Sequence, residues 1–268
     1  MTADPLHSAA PRPSLRARSL QVTLTIAPVA MALVLIALGP TAGTARAQDE
    51  HAGHDKHSEH GQHAEHGQHT DGLRHDFSDV ARWSARFDDP SRDDWQKPDE
   101  VAKMLGAVPG AIVADLGAGT GYFLGPLSRA VGAGGRVLAL EPEETLVEHM
   151  RERAAQAGWA QVEVRQIGYD DPGLEPESVD GILIVNTWHH LGDRPRYAAA
   201  LLRALRPEGR VLVVDYTRES PQGPPPAHRL PPEQVIEELV AGGFDASQLD
   251  ESLPLQYVVV AERPAAAR

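Results

Sequence analysis

Three glycines stand at every second position after a short apolar run, at Gly117, Gly119 and Gly121. Glycine lets the backbone approach a ligand closely, and a helix that follows such a loop presents free backbone N–H groups. Asp115 stands two residues before the first of these glycines, and Glu141 stands twenty residues after the last. A carboxylate at that distance can accept hydrogen bonds from both hydroxyls of a ribose. This stretch therefore predicts a cofactor site.

A pair of histidines, His189 and His190, follows an apolar segment that ends at Asn186. Neutral imidazole can accept a proton at physiological pH. Ligands of open α/β sheets bind at the carboxyl ends of the strands, so the pair is expected beside the glycine loop. Either histidine is a candidate general base. The sequence does not choose between them, and both could instead be structural.

A third group of reactive side chains is a tract in which a histidine recurs at every third residue. The residues between them are small or polar and cannot form a core, so residues 48–75 are predicted to be a disordered tail. Imidazole is a good ligand for zinc, nickel and copper. The tract is interpreted as a metal-binding tail of low specificity or, alternatively, as a solvated linker. The candidate metal ligands are His51, His54, His57, His60, His63, His66 and His69.

Alternating apolar strands and amphipathic helices must position the first two groups. The predicted strands cover residues 111–116, 136–140, 161–166, 179–186, 210–216, 244–252 and 255–261. The predicted helices cover residues 98–105, 122–131, 145–158, 194–206 and 233–241. A Pro207-Glu208-Gly209 turn is expected to lead into the fifth strand. This alternation predicts a doubly wound α/β sheet.

Two further segments flank this pattern. Residues 76–98 contain Trp83, Phe87 and Trp95, which are expected to anchor an N-terminal helical cap. Residues 220–232 are too rich in proline for a helix or a central strand. They predict a loop on the substrate side, with His228 or Arg229 as candidates to face the pocket.

The glycine spacing resembles the first motif of class I S-adenosylmethionine (SAM)-dependent methyltransferases. The spacing here is G-x-G-x-G, whereas a dinucleotide-binding loop has G-x-G-x-x-G, so an NAD-dependent oxidoreductase is disfavoured. The segments WQKP at 95–98, NxxHH at 186–190 and LRPEGRVLVVD at 205–215 resemble the same family. The resemblance runs from about Trp95 to Glu262. It implies a Rossmann-like, seven-stranded, mostly parallel sheet whose last strand is antiparallel, within a domain of residues 76–268.

The resemblance also implies a cofactor and a reaction. The cofactor is SAM, and the reaction is in-line transfer of its methyl group to a small molecule. In the family, an acidic or polar side chain after the third strand binds the adenine amine, and either Asp170 or Asp171 could serve here while Tyr169 packs on the base. The full set of predicted cofactor contacts is Asp115, Gly117, Ala118, Gly119, Thr120, Gly121, Glu141, Tyr169, Asp170, Asp171 and Asn186.

The N-terminal residues 1–47 are predicted to be a signal peptide. Arg12, Arg16 and Arg18 form a basic start, residues 20–38 carry no charge, and Ala45-Arg46-Ala47 fits the small-x-small cleavage rule. We expect a secreted or periplasmic protein with no stable membrane span after cleavage. The alternative is a membrane anchor, because 19 uncharged residues just suffice to span a bilayer.

Composition narrows the function further. The formal net charge of −13 disfavours nucleic acid as a partner. The chain has no cysteine, which excludes disulfides, thiolate metal sites and a thiol nucleophile. The predicted signal peptide conflicts with a methyltransferase function, because SAM is made in the cytoplasm and an exported protein would be separated from it. The second hypothesis is therefore a secreted metal-binding protein with a methyltransferase-like fold that has lost catalysis.

Overall fold

One mixed sheet of seven strands organises residues 79–265, the part of the chain that the computed structural model describes. The strands lie in the order β3-β2-β1-β4-β5-β7-β6, and β7 alone runs antiparallel to the other six. This confirms the predicted fold class. The strands are β1 Ile112–Leu116, β2 Arg136–Glu141, β3 Val162–Gln166, β4 Val179–Val185, β5 Leu205–Tyr216, β6 Asp245–Gln248 and β7 Gln256–Glu262.

Helices cover both faces of this sheet. One face packs on α3, α4 and α5 through residues such as Val101, Leu127 and Met150, and the other packs on α6 and α7 through Leu201 and Leu239. Because both faces are buried, the central strands are almost entirely apolar. The helices are α1 Val80–Phe87, α2 Arg92–Gln96, α3 Pro98–Met104, α4 Leu124–Val131, α5 Glu144–Ala157, α6 Arg194–Ala204 and α7 Pro232–Ala241.

The register brings the carboxyl ends of the central strands together. Leu116 at the end of β1 is paired with Leu140 of β2 and with Ile184 of β4. The chain therefore leaves all three strands at one edge of the sheet, as parallel strands with a common register must. This edge carries the glycine loop, Glu141 and the segment that contains the two histidines.

Strands β5 and β6 differ from their predicted bounds. β5 begins at Leu205 and not after the predicted turn, because Val179 of β4 already pairs with Leu205 while Gly181 pairs with Arg210. Residues 206–209 form an irregularity inside the strand. β6 spans four residues at the exposed edge of the sheet, where it has a single neighbour, so less of the predicted segment is held in the sheet.

The predicted leader, the histidine tract and the first residues of the cap lie outside the described residues. The predicted cap segment forms α1 and α2 from Val80 onward, and Trp83 is buried with its ring centroid 5.1 Å from that of Phe87. None of the helices between residues 79 and 265 is long and apolar enough to cross a membrane.

Candidate cofactor and acceptor site

The glycine loop contacts β2 and the segment that follows β4, the two neighbours of β1. The backbone N–H groups of Gly117 and Ala118 donate to the carbonyl oxygen of Leu140, at 2.8 and 3.2 Å. Gly117 has a φ of +70°, and a Cβ there would stand 2.4 Å from the side chain of Thr187. Only glycine fits this position, because the chain that follows β4 presses directly against the loop.

Glu141 lies directly over this loop. One carboxylate oxygen accepts the N–H of Gly119 at 2.9 Å, and the other accepts the N–H of Glu143 at 3.2 Å. The side chain is buried, and this burial raises the pKa of Glu141 to about 7, against the lowering effect of the two N–H donors. The predicted carboxylate at the end of β2 is therefore a desolvated acceptor at the loop.

Asp115, at the end of β1, is a buried carboxylate with an unused oxygen. Among the described residues no donor reaches its Oδ2. Burial raises the pKa of Asp115 to about 7; the positive charge of Arg92 opposes this shift and the negative charge of Glu141 adds to it. A buried acceptor without a partner is rare in native proteins and suits a ligand that brings its own donor or positive charge.

The cap is tied to the same loop by a charged cluster. Asp88, which ends α1, accepts hydrogen bonds from Thr120 Oγ1 at 3.0 Å and from Arg153 Nη1 at 2.7 Å. Arg153 also donates to the backbone carbonyl of Thr120, at 3.0 Å. Phe87 lies over the loop, 3.9 Å from where a Cβ of Gly119 would stand. Asp88 and Arg153 were not among the predicted site residues, because they come from segments that show no shared pattern.

His189 is held by an acid that also escaped sequence reasoning. Its Nδ1 lies 2.8 Å from Oδ2 of Asp215, the penultimate residue of β5, and both side chains are buried. The other oxygen of Asp215 accepts the N–H of Tyr216 at 2.8 Å. A carboxylate only accepts, so Nδ1 carries the proton and Nε2 of the neutral ring keeps its lone pair. An acid at the carboxyl end of a central apolar strand was the signal that could have found Asp215.

The residues on either side of His189 have different surroundings. Trp188 is fully buried, and its indole N–H donates to Glu238 of α7 at 2.9 Å. Arg194 at the start of α6 binds the same carboxylate through two nitrogens, at 2.7 and 2.8 Å. His190 is exposed, with its ring centroid 4.1 Å from that of His189. Trp188 therefore fixes the turn against the helices, and Asp215 sets the position of the His189 proton.

Asn186 belongs to a chain of side-chain hydrogen bonds that starts in the cap. Gln256 Nε2 donates to Asn186 Oδ1 at 2.7 Å, and Gln96 Nε2 donates to Gln256 Oε1. Arg92 donates to Gln96 Oε1 from two nitrogens, at 3.1 and 3.3 Å. Gln96 and Gln256 are both buried. A residue predicted as a cofactor contact is thus connected to α2 through a strand on the far side of β5.

Comparison with known proteins relates this domain to methyltransferases. A family model described as a methyltransferase domain matches residues 113–209. A solved SAM-dependent methyltransferase from Aquifex aeolicus is 28% identical and superposes with a TM-score of 0.65, over 70% of this chain and 98% of that one. The domain therefore has the fold of a SAM-dependent methyltransferase, and its residues 113–209 carry the sequence features of a methyltransferase domain.

Two curated relatives of the methyltransferase domain have named activities. Nocamycin O-methyltransferase from Saccharothrix syringae is 34% identical over 103 residues, which are 38% of this chain and 37% of that protein. The ubiquinone/menaquinone biosynthesis C-methyltransferase UbiE from Idiomarina loihiensis is 26% identical over 115 residues, which are 41% of this chain and 44% of that protein. The chain spans less than half of the length of these curated relatives.

The residues of the methyltransferase domain fit SAM. Glu141 offers a carboxylate to the ribose hydroxyls beside the Gly119 N–H. The unpartnered Oδ2 of Asp115 suits the ammonium group of the amino-acid end. Ala118, Thr120 and Gly121 complete the loop that carries these contacts.

The three predicted adenine contacts occupy different positions. The Tyr169 hydroxyl donates to the Glu143 side chain, so this exposed ring lies beside the turn that follows Glu141. Asp171 accepts the N–H of Gly173 at 2.9 Å and holds its own turn. Asp170 is exposed, and one of its oxygens lies 3.9 Å from where a Cβ of Gly192 would stand. Tyr169 and Asp170 therefore remain the better candidates for contact with a base.

The predictions for the proline-rich loop and for metal binding have different outcomes. Arg229 is buried and donates to five carbonyl oxygens within residues 217–224, so it holds its own proline-rich loop, and His228 is exposed. Within residues 79–265 no group of three metal-ligating side chains comes together. The seven histidines of the tract lie outside the described residues, and their metal binding stays a prediction.

Proposed function

We propose that this protein transfers the methyl group of SAM to a small molecule by in-line displacement, with His189 as the general base. The observation that carries the proposal is the His189–Asp215 pair, which stands at the sheet edge that also carries the glycine loop and Glu141. A base is useful only where the acceptor arrives protonated. The acceptor is therefore proposed to be a hydroxyl or an acidic carbon, in keeping with relatives named O- and C-methyltransferase.

The chain's own residues perform four tasks in this proposal. Glu141 and the loop N–H groups position the adenosine end, and Asp115 takes the positive charge of the amino-acid end. When bound, SAM supplies an electrophilic methyl group on a sulfonium that is already a good leaving group. Phe87 and the Asp88 cluster contact the loop and hold the cap against it. Much of the rate enhancement then comes from proximity and alignment, which contribute several kcal/mol.

His189 and Asp215 handle the proton. Asp215 holds the Nδ1 proton, so Nε2 is the atom that accepts the proton of the acceptor. The positive charge that forms on the ring is stabilised by the carboxylate 2.8 Å away. His190, which is exposed, is proposed to shape the entrance rather than to accept the proton.

Calorimetry and a labelled-methyl assay test this function. We expect the full-length chain to bind SAM at one site and not to bind NAD. Transfer from isotopically labelled SAM is then screened over small molecules that bear hydroxyl groups, with matched methyl ethers as controls. Binding of zinc without any binding of SAM would contradict the proposal and favour the non-catalytic alternative.

We further propose that the protein is exported and that its leader is removed after Ala47. This rests on the basic, apolar and small-residue series of residues 1–47. N-terminal sequencing of protein from the cell envelope and medium tests it, with Gln48 as the expected first residue. An intact Met1 on cytoplasmic protein would contradict export.

A further inference from the structure

The chain of side chains from Arg92 to Asn186 has a fixed direction. A guanidinium has only donors, so Gln96 must turn its carbonyl oxygen toward Arg92. Its amide nitrogen is then the atom that meets Gln256. The same reasoning turns the nitrogen of Gln256 toward Asn186, which must accept through Oδ1. A single cation at one end thus sets the orientation of three successive amides.

The last amide in this chain therefore presents a donor. Asn186 accepts through Oδ1, and within the described residues nothing accepts from its Nδ2. Its backbone is held as well, since its N–H donates to the Val214 carbonyl at 2.9 Å and its φ is +53°. Asparagine is among the few residues that adopt this left-handed region readily. The free N–H groups of Asn186 are consequently fixed in direction and partly exposed at the end of β4.

The position of this donor limits the ligand group that it can meet. Asn186 directly precedes Thr187, whose side chain touches Gly117 of the loop. Along the same edge, the Glu141 carboxylate suits the hydroxyl groups of a ligand, and Asp115 suits an ammonium group. The amino-acid end of SAM carries one further charged group, a carboxylate, and a carboxylate requires donors.

We propose that Asn186 Nδ2 donates to the α-carboxylate of SAM, and that Arg92, Gln96 and Gln256 are positioning residues that fix this donor direction. This inference rests on the proposed function, because it assumes SAM in the cleft. Burial of Gln96 and Gln256 strengthens the effect, because a desolvated chain of hydrogen bonds polarises its members and resists reversal. The cap thereby takes part in cofactor recognition without a contact of its own.

Gln96→Glu tests the direction of this relay. The glutamate has only acceptors at neutral pH, and Arg92 neutralises its charge. Gln256 and then Asn186 must each turn over to satisfy it, so that Asn186 presents Oδ1 to the cofactor carboxylate. Gln96→Met is the matched control, since it interrupts the relay without reversing it.

The probes are S-adenosylhomocysteine and 5′-methylthioadenosine, measured by calorimetry on the full-length protein. The second probe keeps the adenosine and the sulfur but lacks the amino-acid groups. For Gln96→Glu we expect at least a tenfold loss of S-adenosylhomocysteine affinity, as for a lost hydrogen bond to a charged group. The affinity for 5′-methylthioadenosine should stay within about twofold of wild type, because only the amino-acid end meets Asn186. Gln96→Met should show a smaller loss for S-adenosylhomocysteine.

Side-chain amide spectra provide a readout besides affinity. In the ¹⁵N-labelled wild type, S-adenosylhomocysteine should shift the Asn186 Nδ2 resonances, and 5′-methylthioadenosine should not. If Gln96→Glu unfolds, Asn186→Asp replaces it, because aspartate has the same shape and tolerates the same φ but lacks the donor. Asn186→Asp should show the same selective loss.

Three results would overturn the inference. One is an unchanged affinity of Gln96→Glu, or of its substitute, for S-adenosylhomocysteine. Another is an equal loss for both probes, which would show that the relay only holds the cap in place. The third is an equal loss in Gln96→Glu and Gln96→Met. A wild type that binds neither probe would instead overturn the proposed function itself, so the two failures are distinguishable.

Discussion

The two halves of the sheet edge are built differently. On the side of β1 and β2, the carboxylates of Asp115 and Glu141 face backbone N–H groups or no donor at all. On the side of β4 and β5, Asn186 and His189 are each paired with another side chain. The first half retains one buried acceptor without a partner, Oδ2 of Asp115, whereas the side chains of the second half are oriented by protein partners. We call the first the cofactor half and, because His189 is the proposed base, the second the acceptor half. Asn186 follows β4, the strand next to β1, and is proposed to donate to the cofactor from there.

The largest effect is expected from Gly119→Val, which breaks the cofactor half. Gly119 has a φ of +58°, a region that a β-branched residue avoids, and the new side chain would fill the space under Phe87. The loop must then move, and the Gly119 N–H leaves Glu141. We expect SAM affinity to fall by roughly 100-fold or more, measured by calorimetry.

Gly134→Val is the matched control for this substitution. Gly134 lies in the turn between α4 and β2, and a Cβ there meets nothing within 4 Å. Its SAM affinity should equal that of wild type. Equal affinity in Gly119→Val and Gly134→Val would show that the cofactor half is not where SAM binds.

The acceptor half is tested by His189→Asn. Loss of the base should slow methyl transfer to an identified acceptor by roughly 10²-fold or more, while SAM affinity stays within a few-fold. His190→Asn is the control and should retain most of the rate, because that ring is exposed. Asp215→Asn should lower the rate as well, since the carboxylate that fixes the Nδ1 proton is gone. Wild-type rates in all three variants would mean that the reaction takes no base from this segment.

The contrast between the halves also explains what the sequence could predict. The sequence could single out the glycine loop and Glu141 because the role proposed for them depends on backbone conformation and short spacing, which a local pattern records. The apolar strands fixed the sheet edge at which His189 stands. Asp215 was missed although it is the penultimate residue of a strand whose carboxyl end was predicted correctly, because the role proposed for it appears only when β5 is laid beside β4.

The cap contacts could not be predicted for a different physical reason. Gln96 and Gln256 are 160 positions apart, and each is an ordinary polar residue in its own segment. Their pairing depends on where α2 docks over the sheet edge, which no periodicity specifies. Arg229 shows the converse case. It was a candidate to face the pocket, but its guanidinium donates to carbonyl oxygens of its own loop.

A smaller effect, on stability, is expected from Asp115→Asn. The pKa of the Asp115 carboxyl group in the folded domain is about 7, against an ordinary value of 3.8. The folded state therefore holds the carboxyl proton more tightly than the unfolded chain does. Stability therefore falls as pH rises from about 4 to about 7, where the unfolded chain has already ionised. Asparagine removes this loss, which for a shift of about three pH units is on the order of 4 kcal/mol.

Thermal unfolding at two pH values measures this difference. The variant should gain roughly 8 to 16 °C over wild type at pH 8, and the gain should shrink toward pH 5. Glu141 also has a raised pKa, but it titrates in both proteins and cancels in the comparison. SAM affinity should fall in the variant. A gain that is independent of pH would show that packing, and not the buried charge, is responsible.

The smallest effect on either half is expected from deletion of residues 51–69. All the contacts argued above lie within residues 79–265, so SAM affinity and turnover should be unchanged. Retention on immobilised nickel or zinc should be lost, since the tract supplies seven imidazoles. Neutral imidazole is the binding form, so retention of the intact chain should also weaken as pH falls below about 6.5.

Replacement of the seven histidines by glutamine separates charge and length from metal binding. This variant keeps the spacing between the leader and the domain, and it should match the deletion in both assays. Metal retention by either variant would move the metal site into the domain, where the described residues bring no three ligands together. A change in SAM affinity on deletion but not on replacement would mean that the tract contributes to the cofactor half through its backbone. We expect metal binding by the tract and SAM binding by the domain to be independent. A tract of small and polar residues has little apolar surface with which to dock on the domain.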